Sequence, residues 1–217
     1  MQKLKFSKEN LCLYAVTDRA WTQHQTLYEQ VKEALEGGVT LVQLREKELD
    51  EESFIQEAKK ILELCHQYQV PLIINDNLNV ALKCHADGIH LGQDDLSCKE
   101  VKEKYGNHLI VGVSCHNVEE AHQANRDGAD YLGVGAMFNT KTKQNVQSLT
   151  PTILKDVASA STCPIVAIGG INESNMHLLK NTGIAGVALV SAIFASSNIK
   201  EKCELLKKQI KEQLVHD

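Results

Sequence analysis

The sequence predicts an α/β fold, a single (β/α)8 TIM barrel. Eight short β-branched runs alternate with amphipathic helical stretches along the chain. Its 217 residues divide into about 27 per repeat, near the lower end for such a barrel. Polar and charged residues gather at the C-terminal ends of the runs, where barrels of this kind carry their chemistry. A doubly wound parallel sheet would share the alternation, and periodicity alone leaves it open; the count of eight favours the barrel.

The runs are LCLYAVTD from Leu11, TLVQLREK from Thr40, PLIIND from Pro71, GIHLG from Gly88, LIVGVSC from Leu109, YLGVGAMF from Tyr131, PIVAIGG from Pro164 and GVALVSAIF from Gly186. A helix is expected after each. The clearest carries Phe54, Ala58, Ile61, Leu62 and Cys65 on one stripe, behind an acidic start at Asp50, Glu51 and Glu52 that suits the positive end of a helix dipole. Gly37-Gly38, Gly88, Gly128 and Gly183 stand before strands, where a left-handed cap is expected. No composition shift marks a linker, so residues 1–217 read as one domain with 1–10 as an N-terminal extension.

Composition narrows the class. Hydrophobic residues make up 43% and charged residues 24%, which fits a globular core. No apolar run reaches the roughly 18 residues of a membrane span, and MQKLKFSKEN lacks the apolar stretch of a secretory signal. The seven cysteines are odd in number and show no CxxC spacing, so reduced thiols in a cytoplasmic protein are expected. A net charge of −5 argues against a nucleic-acid partner but leaves room for a local basic pocket. The sequence leaves open whether the chain forms a homo-oligomer.

The strand ends supply that pocket. In the second run, alternation puts Gln43, Arg45 and Lys47 on one side, a fork and a point charge suited to a polyanion; an internal ion pair with a carboxylate is the plainer use. Asp76 ends the third run and Asp95 follows the fourth. Two carboxylates beside a basic strand suit magnesium, which takes one or two carboxylates plus phosphate oxygens and water, although either Asp alone would serve as a helix cap. Ser114 and His116 end the fifth run, with Asn117 as the expected N-cap of the next helix. After the sixth run, Asn139 to Ser148 forms a long polar loop with Val146 as its one clearly apolar member, expected to close over a ligand. Gly169-Gly170 and Val190-Ser191 end the last two runs, where barrels of this kind recurrently bind a phosphate. Of the nine histidines, His90 and His116 alone project near strand ends.

Taken in order, QLREK, IINDN, GIHLGQDD, VGVSCH, FNTKTK, IGGI and VSAI resemble the thiamine-phosphate synthase family, from Leu13 through the LVSAIF run beginning at Leu189. The resemblance implies a transferase that joins 4-amino-2-methyl-5-hydroxymethylpyrimidine diphosphate to 4-methyl-5-hydroxyethylthiazole phosphate, releasing diphosphate, with Mg2+ as cofactor. By that resemblance Gln43, Arg45, Lys47 and Asn75 bind the pyrimidine substrate, with His90 nearby, and Asp76 and Asp95 hold the metal. Ser114 and Lys143 meet the diphosphate, while Thr140, Thr142, Gly170, Val190 and Ser191 hold the thiazole phosphate. Arg45, Lys47, Ser114 and Lys143 form the implied catalytic set, and the partners are these small molecules, with neither nucleic acid nor membrane. A related thiazole tautomerase shares the framework and uses a histidine at the position of His116. A non-catalytic phosphate-sensing barrel would keep Gly170 and Ser191 without needing Asp76 and Asp95.

Overall fold

A computed structural model describes residues 4–106, 108–139 and 148–214. Thr140, Thr142 and Lys143, with most of the expected closing loop, lie outside them. Eight parallel strands close in sequence order into a barrel. They are β1 (Leu13–Val16), β2 (Leu41–Leu44), β3 (Leu72–Asn75), β4 (Gly88–Leu91), β5 (Ile110–Cys115), β6 (Tyr131–Val134), β7 (Ile165–Ile168) and β8 (Gly186–Leu189). Closure is made by β1 on β8, with Tyr14 opposite Ala188. Every run yields a strand, though shorter than the run itself. The last run divides: β8 stops at Leu189, and Ser191–Phe194 turns helical.

Helices α1 (Leu27–Glu36), α2 (Glu51–Gln67), α3 (Leu78–Cys84), α4 (Cys98–Tyr105), α5 (Val118–Arg126) and α6 (Pro151–Ala160) follow the first six strands. Their starts are written in side-chain oxygens. Thr26 and Glu29 form a reciprocal capping box on α1, Asp50 accepts from the Ser53 amide on α2, and Asn117 accepts from the Glu120 amide on α5, as expected. The stripe from Phe54 to Cys65 is buried, as its spacing predicts.

The expectation of a helix after every strand fails at β7, where a single 3-10 turn, Met176–Leu179, follows. Asn and Ser side chains take over the backbone there. Asn172 accepts from the Ser174 amide, Asn175 accepts from the Asn172 amide, and Asn175 Nδ2 donates to the Gly170 carbonyl. After β8 come α7 (Ser191–Phe194) and α8 (Ile199–Gln213), and α8 packs beside α1 to complete the outer ring.

The glycine caps are also corrected in part. Gly38, Gly128 and Gly183 have φ of +90°, +83° and +84°. Gly37 does not, and Gly88 is the first residue of β4, where a Cβ would overlap the Ile110 carbonyl oxygen. The left-handed position before β4 belongs to His85.

Two apolar clusters divide the molecule. The larger fills the space between strands and helices. The smaller lies inside the barrel, with Leu11, Tyr14, Val16, Leu41, Ile73, Tyr131, Val166 and Ala188, and Phe6 stacks 5.7 Å from Tyr131 against it. Thus the barrel interior is packed, and a ligand has access only above this layer. All seven cysteines are free thiols, six of them buried, and burial pushes Cys115 and Cys203 up to about 12. They pack as small hydrophobes. Among the described residues no helix is long and apolar enough to cross a membrane.

Candidate active site

A cavity of about 330 Å³ opens above the packed layer. Its wall brings together Gln43, Arg45, Lys47, Asn75, Asp76, His90, Asp95, Ser114, Gly170, Val190 and Ser191, which are all the described residues that the resemblance assigns to substrates or metal. They come from β2, β3, β4, β5 and the turns after β7 and β8, so closure of the barrel alone makes them neighbours.

The basic side is braced by the chain after β1. Thr17 is fully buried and accepts from the Arg45 amide at 3.0 Å, while Arg45 Nη1 donates to Asp18 at 3.3 Å. Next door, Arg19 Nε donates to Glu46 at 2.7 Å, and Arg19 also pairs with Glu57. The plainer use of an internal cation, an ion pair, is therefore present for Arg45 as well, and it orients the side chain that lines the cavity. Lys47 is exposed.

The acidic side is shaped by two turns. Asp76 has φ +60°, a conformation disfavoured for a residue with a Cβ, and its amide donates to the His90 carbonyl at 2.9 Å. Asn77, not Asp76, caps α3. Asp95 folds back to accept from the Gly92 amide at 2.6 Å, and Ser97 holds the N-cap position of α4, so neither aspartate is spent as a helix cap. Among the described residues no cluster of three or more His, Cys, Asp or Glu side chains forms a complete metal cage. Two carboxylates on one cavity wall suit magnesium nonetheless, because that ion draws its other oxygens from phosphate and water.

Opposite stand Gly169 and Gly170, with φ of +98° and +64°. A Cβ on Gly170 would lie 2.6 Å from the Asn139 carbonyl oxygen, so glycine is required for the β7 turn to pass beneath the start of the polar loop. His116 also lines the cavity, with Nδ1 2.9 Å from Glu120 and its amide donating to the same oxygen.

Sequence reasoning missed Tyr14, which lines the cavity floor, and Tyr131, which lies in the packed layer beside it; both are essentially fully buried. Gln43 Nε2 donates to the Tyr14 hydroxyl at 2.7 Å, and the two tyrosine hydroxyls are 2.8 Å apart. Tyr131 Oη is 3.0 Å from His90 Nδ1, and His90 Nε2 is 3.0 Å from Ser114 Oγ. Burial pushes both phenols well above their ordinary range, so each is a neutral hydroxyl. A signal was available in Gly112 and Gly133, since glycine inside a strand often marks the close approach of another group. A Cβ on Gly112 would overlap the Tyr131 ring, and one on Gly133 would stand 3.0 Å from His90. Gln93, Asp94 and Asp18 were missed too.

Comparison with known proteins places this geometry in a family. The family profile described as thiamine monophosphate synthase matches residues 13–193. The thiamine-phosphate synthase of Clostridium acetobutylicum is 44% identical over 194 residues, covering 89% of this chain and 92% of that protein. The corresponding protein of Ruminiclostridium cellulolyticum is 46% identical over 200 residues, covering 92% and 95%. Among solved structures, a thiamine phosphate pyrophosphorylase from Pyrococcus furiosus superposes with a TM-score of 0.88 at 34% identity, covering 96% of this chain and 99% of that one. Neither the tautomerase reading nor the phosphate-sensing reading is favoured by these relatives. With its closed eight-stranded barrel and its profile match across most of its length, the chain belongs to the thiamine monophosphate synthase family.

Proposed function

We propose that the chain is a magnesium-dependent transferase that joins 4-amino-2-methyl-5-hydroxymethylpyrimidine diphosphate to 4-methyl-5-hydroxyethylthiazole phosphate, giving thiamine phosphate and diphosphate. The observation that carries this reading is a single cavity with cations and carboxylates on one side and a glycine-lined turn on the other. Such a cavity has room for two anionic groups held apart.

In the reaction the bond between the pyrimidine methylene carbon and the diphosphate oxygen breaks, and the thiazole nitrogen forms the new bond to that carbon. Charge develops on the leaving oxygens, so fixed cations and donors there lower the barrier. Arg45, oriented by Asp18, and exposed Lys47 bind the diphosphate and stabilise that charge. Magnesium held by Asp76 and Asp95 would supply further polarisation of the same oxygens. Gln43, Asn75 and His90 orient the pyrimidine, Ser114 donates to the diphosphate, and Gly170, Val190 and Ser191 hold the thiazole phosphate. Lys143 joins the catalytic set, and Thr140 and Thr142 join the phosphate contacts, on sequence alone. No activated nucleophile is needed; the protein contributes position and field. A cytoplasmic location fits seven free thiols.

The test is incubation of the purified protein with both substrates and magnesium. Diphosphate release in step with thiamine phosphate is the expected result. Isomerisation of a thiazole carboxylate phosphate without diphosphate release would overturn the reading in favour of a tautomerase.

A further inference from the structure

The hydroxyls of Tyr14 and Tyr131 join two cavity residues that stand on opposite sides of the barrel, Gln43 on β2 and Ser114 on β5. The path runs from Gln43 to Tyr14 on β1, to Tyr131 on β6, to His90 on β4 and to Ser114, with each step between 2.7 and 3.0 Å. Glycines at 112 and 133 leave the space that the Tyr131 ring and the His90 imidazole fill. A path threaded through slots of this kind is held by the backbone itself.

Such a chain has a direction. A hydroxyl owns one hydrogen, and an imidazole with one ring proton donates at one nitrogen and accepts at the other. Gln43 presents an amide N–H to Tyr14, so the Tyr14 hydrogen turns to Tyr131. Tyr131 then turns its own hydrogen to His90 Nδ1, and the ring proton stands on Nε2, facing Ser114 Oγ. Ser114 is thereby occupied as an acceptor, and its hydrogen is released toward the cavity. In the reverse direction Tyr14 would meet donors from both Gln43 and Tyr131, and its hydrogen would have no acceptor among the described residues.

We propose that Tyr14 and Tyr131 are positioning residues that set the His90 tautomer and so make Ser114 a hydrogen-bond donor to the leaving diphosphate. The ligand named here rests on the function proposed above; the tautomer does not. Burial supports the direction, because both phenols remain protonated across the working range.

The first test needs no substrate and is read on the wild-type protein. Nitrogen NMR of histidine-labelled wild-type protein, with the His90 signal assigned through His90→Asn, should show a protonated Nε2 and a lone pair on Nδ1. A proton on Nδ1 would overturn the proposal, whatever reaction the protein catalyses. The second test is kinetic. Tyr131→Phe should convert the His90 signal to a tautomer mixture and lower kcat about tenfold with KM nearly unchanged, as loss of one charge-assisted hydrogen bond in the transition state predicts. In a Ser114→Ala background, Tyr131→Phe should cost nothing more. The same loss in both backgrounds would mean that Tyr131 acts by packing, and the proposal would fail. If Tyr131→Phe does not fold, Tyr14→Phe breaks the chain one step earlier and is read against the same two outcomes.

Discussion

Arg19 donates from Nε to Glu46 at 2.7 Å, one residue along from the pair that Asp18 makes with Arg45. Two consecutive residues after β1 are thus stitched to two consecutive residues after β2, with the charges in opposite order. Of these four residues only Arg45 lines the cavity. The Glu46 side chain is 1% exposed, and Oε1 has no hydrogen-bond partner among the described residues. Burial pushes the Glu46 carboxyl above its ordinary value, Arg19 opposes the shift, and nearby Glu57 adds to it.

Arg19→Ala should therefore cost about 2 kcal/mol, because it strands a buried carboxylate. Glu46→Gln should cost less, since a neutral amide needs no counter-charge and Arg19 keeps Glu57. Loss of Arg19 raises the folded-state value of Glu46 further. The native state of the variant then binds more protons than its unfolded chain, so its stability falls as pH rises from the ordinary value of 4.5 through the raised one. The destabilisation should be full above that window and absent below it. Urea melts across the pH range check this, and a pH-independent loss would mean that packing, not charge, is responsible.

Gly112→Ala should destabilise the barrel by about 1–3 kcal/mol, because the added methyl must displace the Tyr131 ring rather than a flexible side-chain end. For a chain of this size each kcal/mol lowers Tm by about 2–4 °C. A melting temperature equal to wild type would show that the Tyr131 slot has slack.

Asp76→Asn and Asp95→Asn should keep the fold and weaken magnesium dependence. The Asp95→Asn side chain retains an oxygen for the Gly92 amide, so the turn survives while the charge is lost. We expect kcat to fall more than KM rises, because the charge on the leaving oxygens is greatest in the transition state. Activity against magnesium concentration is the measurement, and full activity in the double variant would remove both residues from the metal site.

Ser191→Ala should weaken thiazole phosphate binding by about tenfold, the size of one hydrogen bond to a charged group, and leave the pyrimidine substrate untouched. Calorimetry with each ligand separately reads the difference. Gly170→Val would be a poorer probe, since its side chain meets the Phe138 and Asn139 carbonyls before it meets any ligand. Equal weakening of both ligands by Ser191→Ala would mean that the two anion sites are not separate.

The strand ends were legible in the sequence because a parallel strand announces itself locally. β-Branched runs of the length seen from Leu72 to Asn75 need no distant partner to be recognised, and the alternation along Gln43, Leu44 and Arg45 says which side chains share a face. Asn117 was legible as a cap, and Asp50 as part of an acidic helix start, for the same reason, since the groups they meet lie within three residues. The turn after β7 misled, because side-chain competition at Asn172 and Asn175 breaks a helix that composition allows. Tyr14 and Tyr131 stayed hidden because their partners are distant in the chain: the two hydroxyls lie 117 residues apart in sequence and 2.8 Å apart in space. The same holds for Arg19 and Glu46, whose pairing needs β1 beside β2. Sequence by itself determined which residues stand at each strand end, because that is set by local period and propensity. Which of them touch was decided only by the tertiary structure, because closure of the barrel brings strands far apart in sequence within hydrogen-bonding distance inside one ring.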